Sequence, residues 1–167
     1  EGGTISSSGS SGSGIYNNST GTVTIEEATI SSNSYGIYNN NTGTITIEGG
    51  TISSSGSSGS GIYNKNTGTV IVKRGTVESI INSSYSNSYG IYNYSTGNII
   101  IGIKGDGLVS QEEPIIKARR TSSSTTHVGY GIYNANGTVY YYDGKIQGTD
   151  KAISGNITEI EDSTEIN

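Results

Sequence analysis

The tetrapeptide Gly-Ile-Tyr-Asn occurs five times, at residues 14–17, 36–39, 61–64, 90–93 and 131–134, with successive spacings of 22, 25, 29 and 41 residues. A unit that returns with drifting spacing and constant neighbours is the mark of stacked structural repeats, each burying its apolar face on the next. The chain is thereby restricted to a nearly one-dimensional molecule with a thin core.

Each repeat carries three short runs. In residues 14–35 the first is Gly14-Ile15-Tyr16-Asn17, followed by the turn Asn18-Ser19-Thr20-Gly21. The second, Thr22-Val23-Thr24-Ile25-Glu26, alternates apolar and polar residues as a half-buried strand does. The third is Ala28-Thr29-Ile30-Ser31, and a Ser-rich connection leads to the next Gly-Ile-Tyr-Asn. The second run returns as Ile45/Ile47, Val70/Val72, Ile99/Ile101 and Val139/Tyr141; the third is marked by Ile5, Ile30, Ile52, Val77, Val109 and Ile146. Three strands per coil, each stacking on its counterpart one coil away, make three parallel sheets around a triangular core. The predicted fold is all-β: a right-handed parallel β-helix, or single-stranded β-solenoid, of about six coils, forming one domain over 1–167. The right-handed sense follows from the handedness of parallel crossovers. A strand spacing of about 4.8 Å makes the rod roughly 25–30 Å long.

Composition fits such a rod. Only 30% of the 167 residues are hydrophobic, and Phe, Trp, Met and Cys are absent, which excludes a bulky globular core. A solenoid needs less, because every layer is covered by its neighbours. Low hydrophobicity with 26 Gly would otherwise indicate disorder, but the period-two alternation argues against it. Nine scattered Lys and Arg do not form the cationic cluster that nucleic-acid binding requires. No apolar run approaches the roughly eighteen residues of a membrane-spanning helix. Without Cys there are no disulfides and no thiolate metal sites. A chain dominated by Ser, Thr, Asn, Gly and Tyr fits a secreted or bacterial cell-surface protein. With no initiating Met and no signal segment, it is expected to be a piece of a longer one.

Parity assigns the faces. With Ile15, Ile37, Ile62, Ile91 and Ile132 inward, the following Tyr points out and the Asn points in, at a corner. Five stacked Asn can pass amide hydrogen bonds from coil to coil, satisfying groups that would cost about 1–3 kcal/mol each if buried unpaired. The Gly closing each turn, at positions 21, 43, 68, 97 and 137, is expected to take a positive φ. Length variation concentrates in the connection from the third run to the next Gly-Ile-Tyr-Asn, spanning 7–13, 32–35, 54–60, 79–89, 111–130 and 148–150. Insertions confined to one corner build a loop-rich edge, often the binding edge of a repeat protein. Residues 4–17 and 51–64 are identical, as duplication of a two-coil unit would leave them. Beyond Asp150 the register weakens, and 151–167 reads as an irregular last coil.

Two features are candidate ligand-binding sites. One is the outward column Tyr16, Tyr38, Tyr63, Tyr92 and Tyr133, helped by Tyr94, Tyr140 and Tyr142. Stacked rings stabilise a sheet by about 0.5–1.5 kcal/mol per pair, and the same strip offers an amphipathic surface to sugar rings or a protein. The other is 111–130, read as a long loop insertion holding Glu112, Glu113, Pro114, Lys117, Arg119, Arg120 and His127. Loops on a rigid scaffold commonly carry recognition. Glu26 and Glu48 occupy equivalent outward positions in adjacent coils, the spacing of a carboxylate pair for glycoside hydrolysis. Lys73 follows them in that column, which is the pattern of a solvated charge ladder. No Asp recurs to hold calcium, and neither a metal nor a cofactor is predicted. The pairs Thr22/Thr24 and Thr44/Thr46 begin a flat Thr lattice of the ice-binding kind, which ends at Ile71, Ile100 and Tyr140.

The Gly-Ile-Tyr-Asn, Thr-Gly-Thr-Ile-Thr-Ile and Gly-Gly-Thr-Ile-Ser strings resemble repeats of bacterial cell-surface, adhesin-like proteins with a right-handed, pectate-lyase-like β-helix, over residues 2 to about 150. The resemblance implies an adhesin or stalk module that meets a host glycan or surface protein. The same fold carries polysaccharide-cleaving enzymes and phage-type spikes, and these are the alternative. Near-identical repeats such as 4–17 and 51–64 favour the module, since an enzyme needs acids and bases converging in one groove.

Overall fold

The computed structural model describes residues 2–105, 114–122 and 126–160, and among them the regular elements are strands. The first coils run β1 (Thr4–Ser7), β2 (Ser13–Asn17), β3 (Thr22–Ile25), β4 (Thr29–Ser32), β5 (Tyr35–Asn39), β6 (Thr44–Ile47) and β7 (Thr51–Ser54). The middle of the rod holds β8 (Gly59–Asn64), β9 (Thr69–Val72), β10 (Thr76–Ile81), β11 (Ser88–Asn93), β12 (Asn98–Ile101) and β13 (Ile115–Arg120). The chain closes with β14 (Gly129–Asn134), β15 (Thr138–Tyr141), β16 (Lys145–Gly148), β17 (Lys151–Ser154) and β18 (Ile157–Ile160). Every third strand stacks in one sheet. Sheet A is β1-β4-β7-β10-β13-β16, sheet B is β2-β5-β8-β11-β14-β17, and sheet C is β3-β6-β9-β12-β15-β18. All pairings are parallel, so the molecule is a parallel β-helix of six coils.

The core is a set of stacked aliphatic columns. Ile30, Ile52, Val77, Ile116 and Ile146 line sheet A, Ile37, Ile62, Ile91 and Ile132 line sheet B, and Ile47, Val72, Ile101 and Tyr141 line sheet C, all fully buried. β-Branched side chains suit this stack, because one preferred χ1 rotamer lets identical residues nest from coil to coil. Tyr141 fits the same column as Val72 and Ile101 because its hydroxyl finds a buried acceptor, the Gly144 carbonyl.

Three expectations need correction. The fifth coil's third run is not at Val109, which lies outside the described residues; it is β13, whose Ile116 stands in register between Val77 and Ile146. Residues 111–130 are therefore not one loop: β13 crosses them, with Ile116, Ala118 and Arg120 turned inward. Length varies at two corners, since 102–114 joins β12 to β13 and 121–128 joins β13 to β14. The turn glycines at 21, 43, 68, 97 and 137 do not take positive φ; that conformation belongs to Gly50, Gly75, Gly102, Gly105, Gly144 and Gly155 among others. Gly43, Gly68, Gly97 and Gly137 are needed for close approach. A Cβ on any of them would strike the carbonyl of the equivalent Gly one coil back and the amide nitrogen of the corner Asn. The last coil is formed by β17 and β18, with a register shift between Val139 and Tyr140.

Candidate binding face

Sheet B places the Tyr column. Strict alternation would send the residue before each Gly-Ile-Tyr-Asn inward, but the strand turns two consecutive residues, Gly and Ile, toward the core. A Cβ on Gly36 would lie against Ile52 Cγ2 of sheet A and 2.6 Å from the Gly61 carbonyl, and the other repeat glycines meet the same two obstacles. Glycine is thus the residue that lets sheets A and B close. The consequence is that Tyr35 and Tyr38, three apart, share the outer face, as do Tyr89 with Tyr92 and Tyr130 with Tyr133. Their ring centroids lie 5.3, 4.8 and 6.0 Å apart.

The result is an aromatic strip two columns wide. Along the predicted column, Tyr16–Tyr38, Tyr38–Tyr63, Tyr63–Tyr92 and Tyr92–Tyr133 follow at 5.1, 5.0, 5.0 and 5.2 Å. The middle pairs are stacked, at 26° and 28°, and the end pairs are edge-to-face. The second column, Tyr35, Tyr89 and Tyr130, was missed by the parity argument; a Tyr directly before three of the five tetrapeptides was the available signal. Tyr94 joins edge-on to Tyr63 and Tyr92. Tyr140 does not belong to the strip, for it faces out from sheet C, and Tyr142 follows β15 with Lys104 Nζ 5.5 Å from its ring.

Packing changes the chemistry of the phenols. Burial, reinforced by neighbouring phenols, raises the pKa of Tyr35, Tyr63 and Tyr92. Burial pushes Tyr89 up to about 12 against a hydrogen bond from Asn87 that lowers it. These four phenols therefore keep their hydroxyl protons through neutral and moderately alkaline pH. Beneath it runs the inward Asn column. Asn17, Asn39, Asn64 and Asn93 each donate Nδ2 to the Oδ1 of the next Asn at 3.0, 2.9, 2.8 and 2.8 Å. The same nitrogens also donate to the turn carbonyls of Gly21, Gly43, Gly68 and Gly97. Both amide protons are used, so the strip rests on a fixed corner.

The predicted loop site divides. Glu112 and Glu113 lie outside the described residues. Arg119 is exposed on β13, while Arg120 is 7% exposed and donates from its guanidinium to the main-chain carbonyls of His127 and Ser83. Arg120 ties β13 to two connections rather than reaching for a ligand. His127 is half-buried with Nδ1 3.0 Å from Thr126 Oγ1. Glu48 accepts from Lys73 Nζ at 2.8 Å, and Glu78 from Lys117 Nζ at 2.9 Å, as coil-to-coil stacking of opposite charges dictates.

No known protein family, curated protein or solved structure matches this chain. Of the expected identity the structure supports the parallel β-helix, and no match supports an adhesin-like or pectate-lyase-like family. Among the described residues no three His, Asp or Glu side chains gather where a metal ion could be held, and no helix is long and apolar enough to cross a membrane.

Proposed function

We propose that the chain is an adhesin or stalk module of a bacterial surface or secreted protein, meeting a host glycan or surface protein through its Tyr strip and the connections beside it. The observation that carries this reading is the character of sheet B. Strands β2, β5, β8, β11 and β14 contain no charged residue, yet they present one column of five Tyr and a second of three. The ion pairs Glu48–Lys73 and Glu78–Lys117 lie on other parts of the rod, and the cations beside the Tyr face are Lys65, whose Nζ is 5.9 Å from the Tyr38 ring, and Lys151 on β17. A face rich in phenols and poor in charge suits a hydroxyl-rich partner or a protein surface, since Tyr combines contact area with a hydrogen-bonding tip. The stacked middle rings turn their faces on one another, so a partner meets ring edges and hydroxyls there and an open ring at Tyr16, which is 55% exposed.

A glycan array combined with polysaccharide depolymerisation assays on the same panel tests the reading. Binding without cleavage is the expected result, with loss of at least tenfold in affinity for Tyr16→Ser combined with Tyr94→Ser. Those two rings are exposed, so the fold tolerates their removal. Cleavage of any polymer would replace the adhesin by a glycan-active enzyme, and silence against glycans and host surface proteins alike would leave a passive stalk.

A further inference from the structure

The chain has 13 Tyr but no Cys, Met or Trp, so a one-electron oxidant that reaches it finds phenols as the readily oxidised side chains. The sulfur groups that otherwise take up oxidising equivalents are missing. The fate of such an oxidation depends on which phenol is met first and on what that ring touches.

Two exposed phenols in the middle of the rod differ in this respect. Tyr85, 84% exposed on the connection between β10 and β11, stands outside the ring contacts of the strip. Tyr94, 53% exposed in the turn after β11, meets two rings edge-on, Tyr63 at 6.4 Å and 81° and Tyr92 at 5.9 Å and 76°. Those two rings stand on adjacent strands in register and stack 5.0 Å apart at 28°. Centroid separations of this size are direct ring contacts, so an oxidised Tyr94 is one electron transfer away from the stacked pair. An edge-to-face contact points a C–H bond at a ring face, whereas stacking sets ring carbons side by side. Of the three pairs, Tyr63 and Tyr92 are therefore the one placed for a bond between ring carbons. The main chain beneath them is held in place, since Asn64 and Asn93, the residues that follow, are hydrogen-bonded to each other at 2.8 Å.

We propose that Tyr63, Tyr92 and Tyr94 form an oxidative modification site, where a haem peroxidase with hydrogen peroxide converts the stacked pair into an intramolecular dityrosine. Two phenols of the strip each give up one electron and the hydroxyl proton, and the peroxide that accepts them leaves as two water molecules. Electron transfer between touching rings brings both phenoxyls onto Tyr63 and Tyr92. A carbon–carbon bond forms between one Cε of each ring, the C–H bonds at those two carbons break, and their protons pass to the phenoxyl oxygens, restoring both hydroxyls. The protein is oxidised by two hydrogen atoms in all. The new bond staples the third coil to the fourth. A solenoid coil is held only by its neighbours, so the staple resists opening of the rod between them. This inference is independent of any partner on the Tyr strip.

The test oxidises the full chain, in dilute solution, with a haem peroxidase and hydrogen peroxide, and repeats the treatment in urea. Tandem mass spectrometry then locates the link between the tryptic peptides that end at Lys65 and Lys104. A monomer lighter by two hydrogen atoms is expected, with the Tyr63–Tyr92 link at least tenfold more abundant from the folded chain than from the unfolded one. Tyr63→Phe, which keeps the ring and its packing, should abolish that link. Tyr94→Phe should slow its appearance at least threefold and leave its position unchanged. Folded monomer without the link would overturn the proposal, as would equal yields with and without urea, or products joined only between molecules through Tyr85. An unchanged rate in Tyr94→Phe would overturn the part assigned to Tyr94.

Discussion

Asn64 is fully buried, accepts from Asn39, and donates to both Asn93 Oδ1 and the Gly68 carbonyl. Asn64→Ala orphans groups on both neighbouring coils and is expected to cost about 3–5 kcal/mol, measured by urea unfolding. Asn17→Ala should cost less, about 1–3 kcal/mol, because it orphans one buried group, Asn39 Oδ1, while its other partners Ser19 and Gly21 are exposed. The turn glycines give a matching contrast. A Cβ on Gly68 would sit 2.5 Å from the Gly43 carbonyl and 2.9 Å from that of Asn41, whereas on Gly21 it would meet only Ser19 Oγ, at 3.3 Å. Gly68→Ala should destabilise by about 1–3 kcal/mol through forced backbone shifts, and Gly21→Ala by less than about 0.5 kcal/mol. Since neither glycine needs a positive φ, the difference isolates coil-to-coil approach from backbone strain.

Among the elements, β13 departs furthest from its expected place. The third run elsewhere begins Gly-Thr-Ile, Gly-Thr-Val, Ala-Thr-Ile or Gly-Lys-Ile, and a search for Gly or Ala two places before an aliphatic residue stops at Gly107 and Val109. The strand instead starts after Pro114, reads Ile-Ile-Lys-Ala-Arg-Arg, and looks like a charged loop. What places it is register: Ile116 completes the column between Val77 and Ile146, while Lys117 pairs with Glu78 on the outer face. Ile116→Ala is expected to cost about 2–5 kcal/mol by thermal or urea unfolding, as a core truncation does. Exchanging all of 111–130 for a short connection would delete a core strand. Shortening only 122–126, which keeps the His127 carbonyl that Arg120 donates to and the backbone bonds of Thr121 and Val128, is the change that tests the loop edge.

At the scale of the whole rod, the Tyr strip links five coils into one face, and four of its phenols titrate above the ordinary range. In Tyr35, Tyr63, Tyr89 and Tyr92 the folded pKa is raised above the ordinary value of 10.0, in Tyr89 to about 12. Between those values the unfolded chain has lost protons that the folded chain retains, so stability falls as pH rises. The contribution is complete below about pH 10 and is lost progressively toward about pH 12. The urea midpoint should drop through that window, and Tyr63→Phe combined with Tyr89→Phe should flatten the drop. An unchanged slope in the double variant would place the alkaline sensitivity outside the strip.

Local pattern alone determined the repeat, the three strands per coil, the inward Ile and Asn columns and the outward Tyr. Each follows from side-chain periodicity, which a strand expresses without reference to the rest of the chain. Tertiary structure decided the remainder. The inward Gly-Ile step that brings Tyr35, Tyr89 and Tyr130 onto the outer face depends on how closely sheets A and B approach. The choice of Ile116 depends on which residue fills a column built by distant coils. Arg120, one residue beyond the exposed Arg119, is buried because two connections supply carbonyls to its guanidinium. These are relations between segments far apart in the chain, and periodicity within one segment carries no record of them.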